Sequence, residues 1–129
     1  MRWRRRVPVI HQTETAECGL ACLAMICGHF GKNIDLIYLR RKFNLSARGA
    51  TLAGINGIAE QLGMVTRALS LELDELGALK MPCILHWDFS HFVVLVSVKR
   101  NRYVLHDPAR GRRNVGLEEM TRYFTGVAL

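Results

Sequence analysis

No run of apolar residues in this sequence approaches the roughly 18 needed to span a bilayer. The longest clean apolar strand-like run, FVVLVSV at 92–98, is far shorter, so nothing here reads as crossing a membrane. The start, MRWRRRVPVIH, has the positive end of a signal peptide but lacks the apolar stretch of about 7 to 15 residues that would follow it. The domain is therefore expected to stay in the cytoplasm. No Cys-x-x-Cys pair, internal repeat or low-complexity segment occurs. Cysteine is sparse, and three of the four residues (Cys18, Cys22 and Cys27, with Cys83 apart) crowd onto what reads as one helix. That is a poor layout for a disulfide framework, and free thiols are expected. The basic clusters, Arg2, Arg4, Arg5 and Arg6 at the start and Arg110, Arg112 and Arg113 near the end, carry almost no interleaved aromatics beyond Trp3. No helix-turn-helix, zinc-finger or RNA-binding signature accompanies them. They read as solvated surface arms, or a face near anionic lipid, with no nucleic-acid partner.

What is present is 129 residues, half of them hydrophobic, with a net charge of +7. That suffices for one compact domain over 1–129 and is too short for two. From Cys18 to about Phe30 the pattern is apolar nearly all round, which predicts a buried central helix stopped by Gly31. Asp35 can cap a second helix through Phe43, and Thr51 a third ending at Gly63. Then the grain changes. MVTRALSL, PCILHW, HFVVLVSV and RYVLHD are short branched runs between turn-like residues, hence strands. LDELGAL (73–79) and LEEMTRYF (117–124) read as short helices. Helices first and antiparallel strands afterwards make an α+β domain.

KRNR (99–102) reads as a hairpin turn that folds His91 and Asp107 toward one another. A regular ladder from that turn sets Asp107 opposite Val94, about three residues from His91, so contact needs a bulge or a bend.

The segment HQTETAECGLACLAMICGHFG (11–31) carries the chemistry. Cys18 and Cys22 share a helix face but Cys27 is rotated away, which argues against a metal site. Cys22 and Cys27 lie deep in an apolar helix and read as small buried hydrophobes. Cys18 stands at the helix start, where unpaired N–H groups and the positive end of the dipole favour a thiolate and can help cradle a carbonyl oxygen.

A cysteine nucleophile needs a base. His29 is eleven residues along the same helix, about 16 Å away. His106 adjoins Asp107 on a strand and points to the opposite face. His11 reads as a loop residue. Of the remaining His86 and His91, only His91 has an orienting carboxylate across a hairpin, Asp107. Gln12, on the loop before the helix, can donate with the Cys18 N–H to an oxyanion. The order Gln, Cys, His, Asp is that of papain-like peptidases.

QTETAECGLACLAMICGHFG, CILHWDFSHFVVLVSV and YVLHDPARG resemble the motifs of the bacteriocin-processing cysteine peptidase domain at the N-terminus of peptidase-containing ABC transporters, closely those of the colicin V type. The resemblance covers nearly the whole chain. It implies a papain-like fold with the nucleophile helix packed on a C-terminal antiparallel sheet. It further implies Cys18 as nucleophile, His91 as general base and acid, Asp107 as its orienting group and Gln12 as oxyanion donor. The implied activity is cleavage of a bacteriocin or microcin precursor after a double-glycine type leader, coupled to export. The implied partners are the leader peptide and the membrane and ATPase domains of the same transporter. No cofactor or metal is implied for hydrolysis, and ATP belongs to the ATPase domain. The chain then reads as an N-terminal fragment, consistent with the abrupt YFTGVAL ending, on the cytoplasmic side of a bacterial inner membrane. The competing expectation is a leader-binding module that recruits cargo without cutting it.

Overall fold

The structure, a computed structural model, describes residues 6–43 and 51–129. Arg2, Trp3, Arg4 and Arg5 of the first basic cluster lie outside the described residues. A 3₁₀ turn at Thr15–Glu17 runs directly into α1 (Cys18–His29), followed by α2 (Leu36–Lys42) and α3 (Leu52–Gln61). The strands are β1 (Leu69–Ser70), β2 (Cys83–Trp87), β3 (His91–Lys99), β4 (Arg102–Asp107), β5 (Gly111–Gly116) and β6 (Phe124–Ala128). A short helix α4 (Leu117–Tyr123) joins β5 to β6, and a 3₁₀ stretch at Leu73–Ala78 stands where LDELGAL predicts a helix. Among the described residues no helix is long and apolar enough to cross a membrane.

Local chemistry accounts for the helix ends. Asp35 accepts a hydrogen bond from Tyr38 N–H and Thr51 from Gly54 N–H, each satisfying an orphan donor of the first turn. Gly31 stops α1 at φ +84°, a conformation that a Cβ disfavours. Every residue of α1 from Cys18 to Cys27 is buried, as a helix apolar on all sides requires.

All six strands form one antiparallel sheet, ordered β1-β6-β2-β3-β4-β5. Its two faces bury separate cores. Ile84, Phe92 and Val94 meet α1, α2 and α3, whereas Leu85, Val93, Leu95, Leu105 and Met120 fill the opposite side. Alternation along β3 thus serves both layers, which is why it reads as a continuous apolar run.

Three sequence expectations change. Of MVTRALSL only Leu69–Ser70 is strand, and Val65 is fully exposed. GRRNVG, expected as part of a solvated arm, is the edge strand β5, in which only Gly111 and Val115 are buried. FTGVA, to which no strand is assigned from the sequence, is the internal strand β6.

The β3–β4 hairpin turns at Arg100 and Asn101, both left-handed at φ 51° and 61°. Its register runs Lys99↔Arg102, Val98↔Tyr103 and Ser97↔Val104, then shifts at Val96 so that Leu95 meets Leu105 and Val94 meets His106. A one-residue slip moves every later side chain to the other face. Asp107 thereby joins the face of His91, Val93 and Leu95, while His106 takes the opposite one.

Candidate active site

The helix start that carries Cys18 is braced by its neighbour Glu17, which is buried. The Glu17 carboxylate accepts from Thr13 N–H (3.1 Å), Thr13 Oγ1 (2.7 Å), Glu14 N–H (3.1 Å) and Arg40 Nη2 (3.0 Å), and also from Arg40 Nε. The Arg40 bond outweighs the opposing effect of burial, and with the Thr13 and Glu14 bonds it holds the carboxyl at about 2. One side chain thus ties the loop after Gln12 to α2. Sequence reading missed this brace. The usable signal was the Glu14-x-x-Glu17 spacing of a capping box, disguised because glutamate replaces the usual serine or threonine.

Cys18 Sγ lies 3.9 Å from Ser90 O and is near enough to the His91 imidazole to raise its pKa. On the far side of the imidazole, His91 Nε2 is 2.7 Å from Asp107 Oδ1. Asp107 is buried and also accepts from Ala109 N–H at 2.8 Å. An ionised carboxylate can only accept, so Nε2 carries a proton, which leaves Nδ1 as the ring nitrogen available to the thiol. Burial pulls the His91 pKa down, but the hydrogen bonds to Asp107 and Cys18 and their charges overcome it and raise it to about 9. Burial likewise opposes ionisation of Asp107, yet the His91 bond, the Ala109 N–H and the nearby Arg113 hold its pKa below the usual value.

The chain reaches His91 through a tight turn. Asp88 and Phe89 both adopt left-handed backbone, φ 46° and 67°, uncommon for residues with side chains. That turn brings Ser90 O against the Cys18 thiol.

Gln12 is tied to the residue that follows Asp107. Its backbone N–H donates to Pro108 O at 2.9 Å, next to Asp107, and its Nε2 donates to Glu14 O at 3.1 Å. This carboxamide is the group expected from the sequence to serve an oxyanion, and its nitrogen is a donor of the kind that role needs.

The other candidates are accounted for elsewhere. Cys22 and Cys27 are fully buried, and burial raises both thiols above their ordinary range, Cys22 far above it. Burial pushes Cys83 up to about 12. His86 bonds Thr125 Oγ1 through Nδ1 at 2.8 Å, with its ring against Phe92. His106, on the opposite face as expected, reaches Pro8 O through Nδ1 (3.1 Å) and Arg112 through Nε2 (3.0 Å). Among the described residues no group of three or more His, Cys, Asp or Glu side chains is arranged to hold a metal ion.

Cys18 comes from the helical layer, His91 and Asp107 from neighbouring strands, and the bulge at Val96 is what lets the last two meet. A thiol beside an imidazole that is itself hydrogen-bonded to a carboxylate can generate a nucleophile and move a proton. The same arrangement of layers occurs in solved relatives. A double glycine motif protease from an AMS/PCAT transporter, solved in complex with the leader peptide, superposes with a TM-score of 0.89 at 36% identity over 99% of this chain and 92% of its own. The peptidase domain of Streptococcus ComA, a bifunctional ABC transporter, gives 0.87 at 27% identity over 95% and 96%. Among sequences, the chain is 95% identical to the probable microcin-H47 secretion/processing ATP-binding protein MchF of Escherichia coli and 91% identical to the colicin V secretion/processing ATP-binding protein CvaB of the same organism, each over all 129 residues. It spans 18% of the length of either. The family model for peptidase C39 matches residues 6–129, and with this papain-like α+β fold the chain belongs to the peptidase C39 family.

Proposed function

We propose that this domain is a cysteine endopeptidase that removes the leader of a bacteriocin or microcin precursor after a double-glycine type site. The observation that carries the reading is the continuous line from the Cys18 thiol through His91 to Asp107. Cys18 Sγ attacks the carbonyl carbon before the cut bond, and the oxyanion that forms is held by the Cys18 N–H and the Gln12 carboxamide. As the C–N bond breaks, the proton on His91 Nδ1 passes to the leaving amine, and the leader remains as a thioester on Cys18. Water then gives a proton back to His91, its oxygen attacks the thioester, and the leader leaves as a carboxylic acid with the thiol restored. Asp107 keeps the imidazole oriented through both proton transfers.

Leader recognition is assigned to an apolar groove of about 730 Å³ lined by Leu23, Ile26, Phe30 and Val65, with Lys32, Arg67 and Lys80 also in its lining. Leu23 is five residues along α1 from Cys18, about 8 Å, and Phe30 about 18 Å. An amphipathic helix with acidic flanks suits such a surface, and its distance from Cys18 would set where the chain is cut. In the larger protein the domain would work on the cytoplasmic side of a bacterial inner membrane, beside the membrane and ATPase domains of an ABC transporter. That assignment is supported by the secretion/processing proteins it matches.

Incubation of the purified domain with a double-glycine leader peptide is expected to yield one cut after the glycine pair. Cys18→Ala should abolish the cut while leader affinity stays within a few-fold, because a thiol adds little ground-state binding. Cleavage by Cys18→Ala would remove the nucleophile assignment. Binding without cleavage in the unaltered domain would instead favour a recruiting module.

A further inference from the structure

The reaction above leaves the second basic cluster unused, and its three arginines have different surroundings. Arg112 Nη1 is 3.0 Å from His106 Nε2, and Arg113 Nη2 is 2.5 Å from Glu119 Oε2. Both are therefore parts of the fold. Arg110 is exposed, and among the described residues its guanidinium makes no hydrogen bond or ion pair. Its backbone is nevertheless fixed, because Arg110 N–H donates to Asp107 O at 3.1 Å. A fully charged fork with five donors thus projects from a rigid turn three residues beyond the carboxylate that orients His91.

Arg110 lines a cleft of about 260 Å³ together with Trp87, Asp88, His91, Asp107 and Tyr123. The Trp87 and Tyr123 rings are stacked, centroids 5.8 Å apart, and Trp87 is buried, so the half-buried Tyr123 supplies the aromatic surface of the cleft with Trp87 backing it. The cleft reaches His91 and Asp107 but not Cys18, so it lies beyond the imidazole as seen from the nucleophile. The apolar groove assigned to the leader follows α1 from Leu23 to Phe30 and includes neither His91 nor Asp107. The two depressions therefore flank the reacting atoms.

Proton transfer fixes which part of the substrate goes where. The amine that leaves must receive the His91 proton within hydrogen-bond reach, so the chain that follows the cut bond passes over the imidazole. We propose that the cleft beyond His91 binds the first few residues after the cut, with the Arg110 guanidinium donating to their main-chain carbonyl oxygens and the Tyr123 ring lying against the extended chain. Contact to main chain matches a site that must accept cargo of any sequence. This inference rests on the peptidase reading and extends it to the released half of the substrate.

The test is a set of peptides with one leader, ending after the cut bond in a methylamide or continuing for one, two, three or four residues of alanine and serine. In the unaltered domain kcat/KM is expected to rise about ten-fold along the set, the worth of a single charge-assisted hydrogen bond, mainly through KM. In Arg110→Ala the longest and shortest peptides should differ by less than about three-fold, and Arg110→Lys should keep an intermediate slope, since it retains the charge but loses the fork. Arg110 is exposed, and an unchanged melting temperature would show that each variant is folded. A length dependence equally steep in Arg110→Ala, or none in the unaltered domain, would overturn the proposal. Failure of the unaltered domain to cut any of the peptides would instead overturn the peptidase reading.

Discussion

Replacing Asp107 by asparagine probes the centre of the mechanism, because the amide keeps the size of the carboxylate and removes its charge. His91 is raised from its ordinary 6.5 to about 9, with burial working against the rise and the bonds to Asp107 and Cys18 driving it. At about 1.4 kcal/mol per pH unit, that amounts to roughly 3 kcal/mol of preference for the imidazolium. The His91 side chain is only 22% exposed, so little of this is lost to solvent screening. With the charge gone, burial is opposed only by Cys18, and the pKa should fall well below 9. A full return to the ordinary 6.5 would drop the fraction of imidazolium at pH 7.5 from nearly all to about a tenth, so turnover should fall by up to about ten-fold before any loss of ring orientation is added. A raised folded pKa contributes stability that is complete below pH 6.5 and disappears as pH climbs through about 9. The unaltered domain should therefore lose denaturation midpoint between pH 6.5 and 9, and Asp107→Asn should lose much less over that window. NMR titration of the His91 ring gives the pKa directly, and kcat/KM for leader cleavage against pH gives its consequence. A His91 pKa unchanged in Asp107→Asn, with an unchanged alkaline limb, would refute the reasoning.

Gln12→Ala should lower kcat by about 10² to 10³ while the leader dissociation constant stays within a few-fold, since an oxyanion donor acts mostly in the transition state. Weaker binding at constant turnover would place Gln12 in recognition instead. Glu17→Gln should destabilise the fold by about 2 to 3 kcal/mol at pH 7, because it removes a charge held by Arg40, Thr13 and Glu14. A depressed carboxyl contributes stability above its unfolded pKa, so the deficit against the unaltered protein should shrink as pH falls from 4.5 through about 2. An equal deficit by urea denaturation at pH 7 and pH 2.5 would argue against that account. Cys22→Ala should lose about 1 kcal/mol and stay active, because it vacates a small volume in a core that performs no chemistry. Inactivity in a well-folded Cys22→Ala would reopen a chemical role for that thiol.

The helices were legible because their ends are written locally. Asp35, Thr51 and Gly31 act on their own first or last turns, and each does what its residue type dictates. Cys18 at a helix start and the hairpin that carries His91 and Asp107 were also legible, because both are patterns of short range. The contact between His91 and Asp107 was not. It depends on one extra residue at Val96 within VLVSV, and nothing in that run distinguishes a bulge from a regular pleat. β5 was hidden by its place at the sheet edge, where Arg112 and Asn114 are exposed and the segment reads as a solvated charge run. β6 was hidden by Gly126, at φ +96°, and by partners distant in sequence. Glu17 escaped notice because its main partner, Arg40, is brought in by the packing of α2 on α1.

The place of β6 between β1 and β2 imposes an order on synthesis. As the chain leaves the ribosome, β2 to β5 can pair in sequence, but β1 has only β6 to pair with, and β2 shows a bare edge until Phe124–Ala128 arrives. At about 5 to 20 residues per second, synthesis of the stretch from Trp87 to Phe124 keeps that edge open for a few seconds. An unpaired edge is a template for joining another nascent chain. Codon changes that slow translation between residues 88 and 123 should raise the fraction lost to aggregation without altering a single side chain, whereas slowing before residue 83 should not.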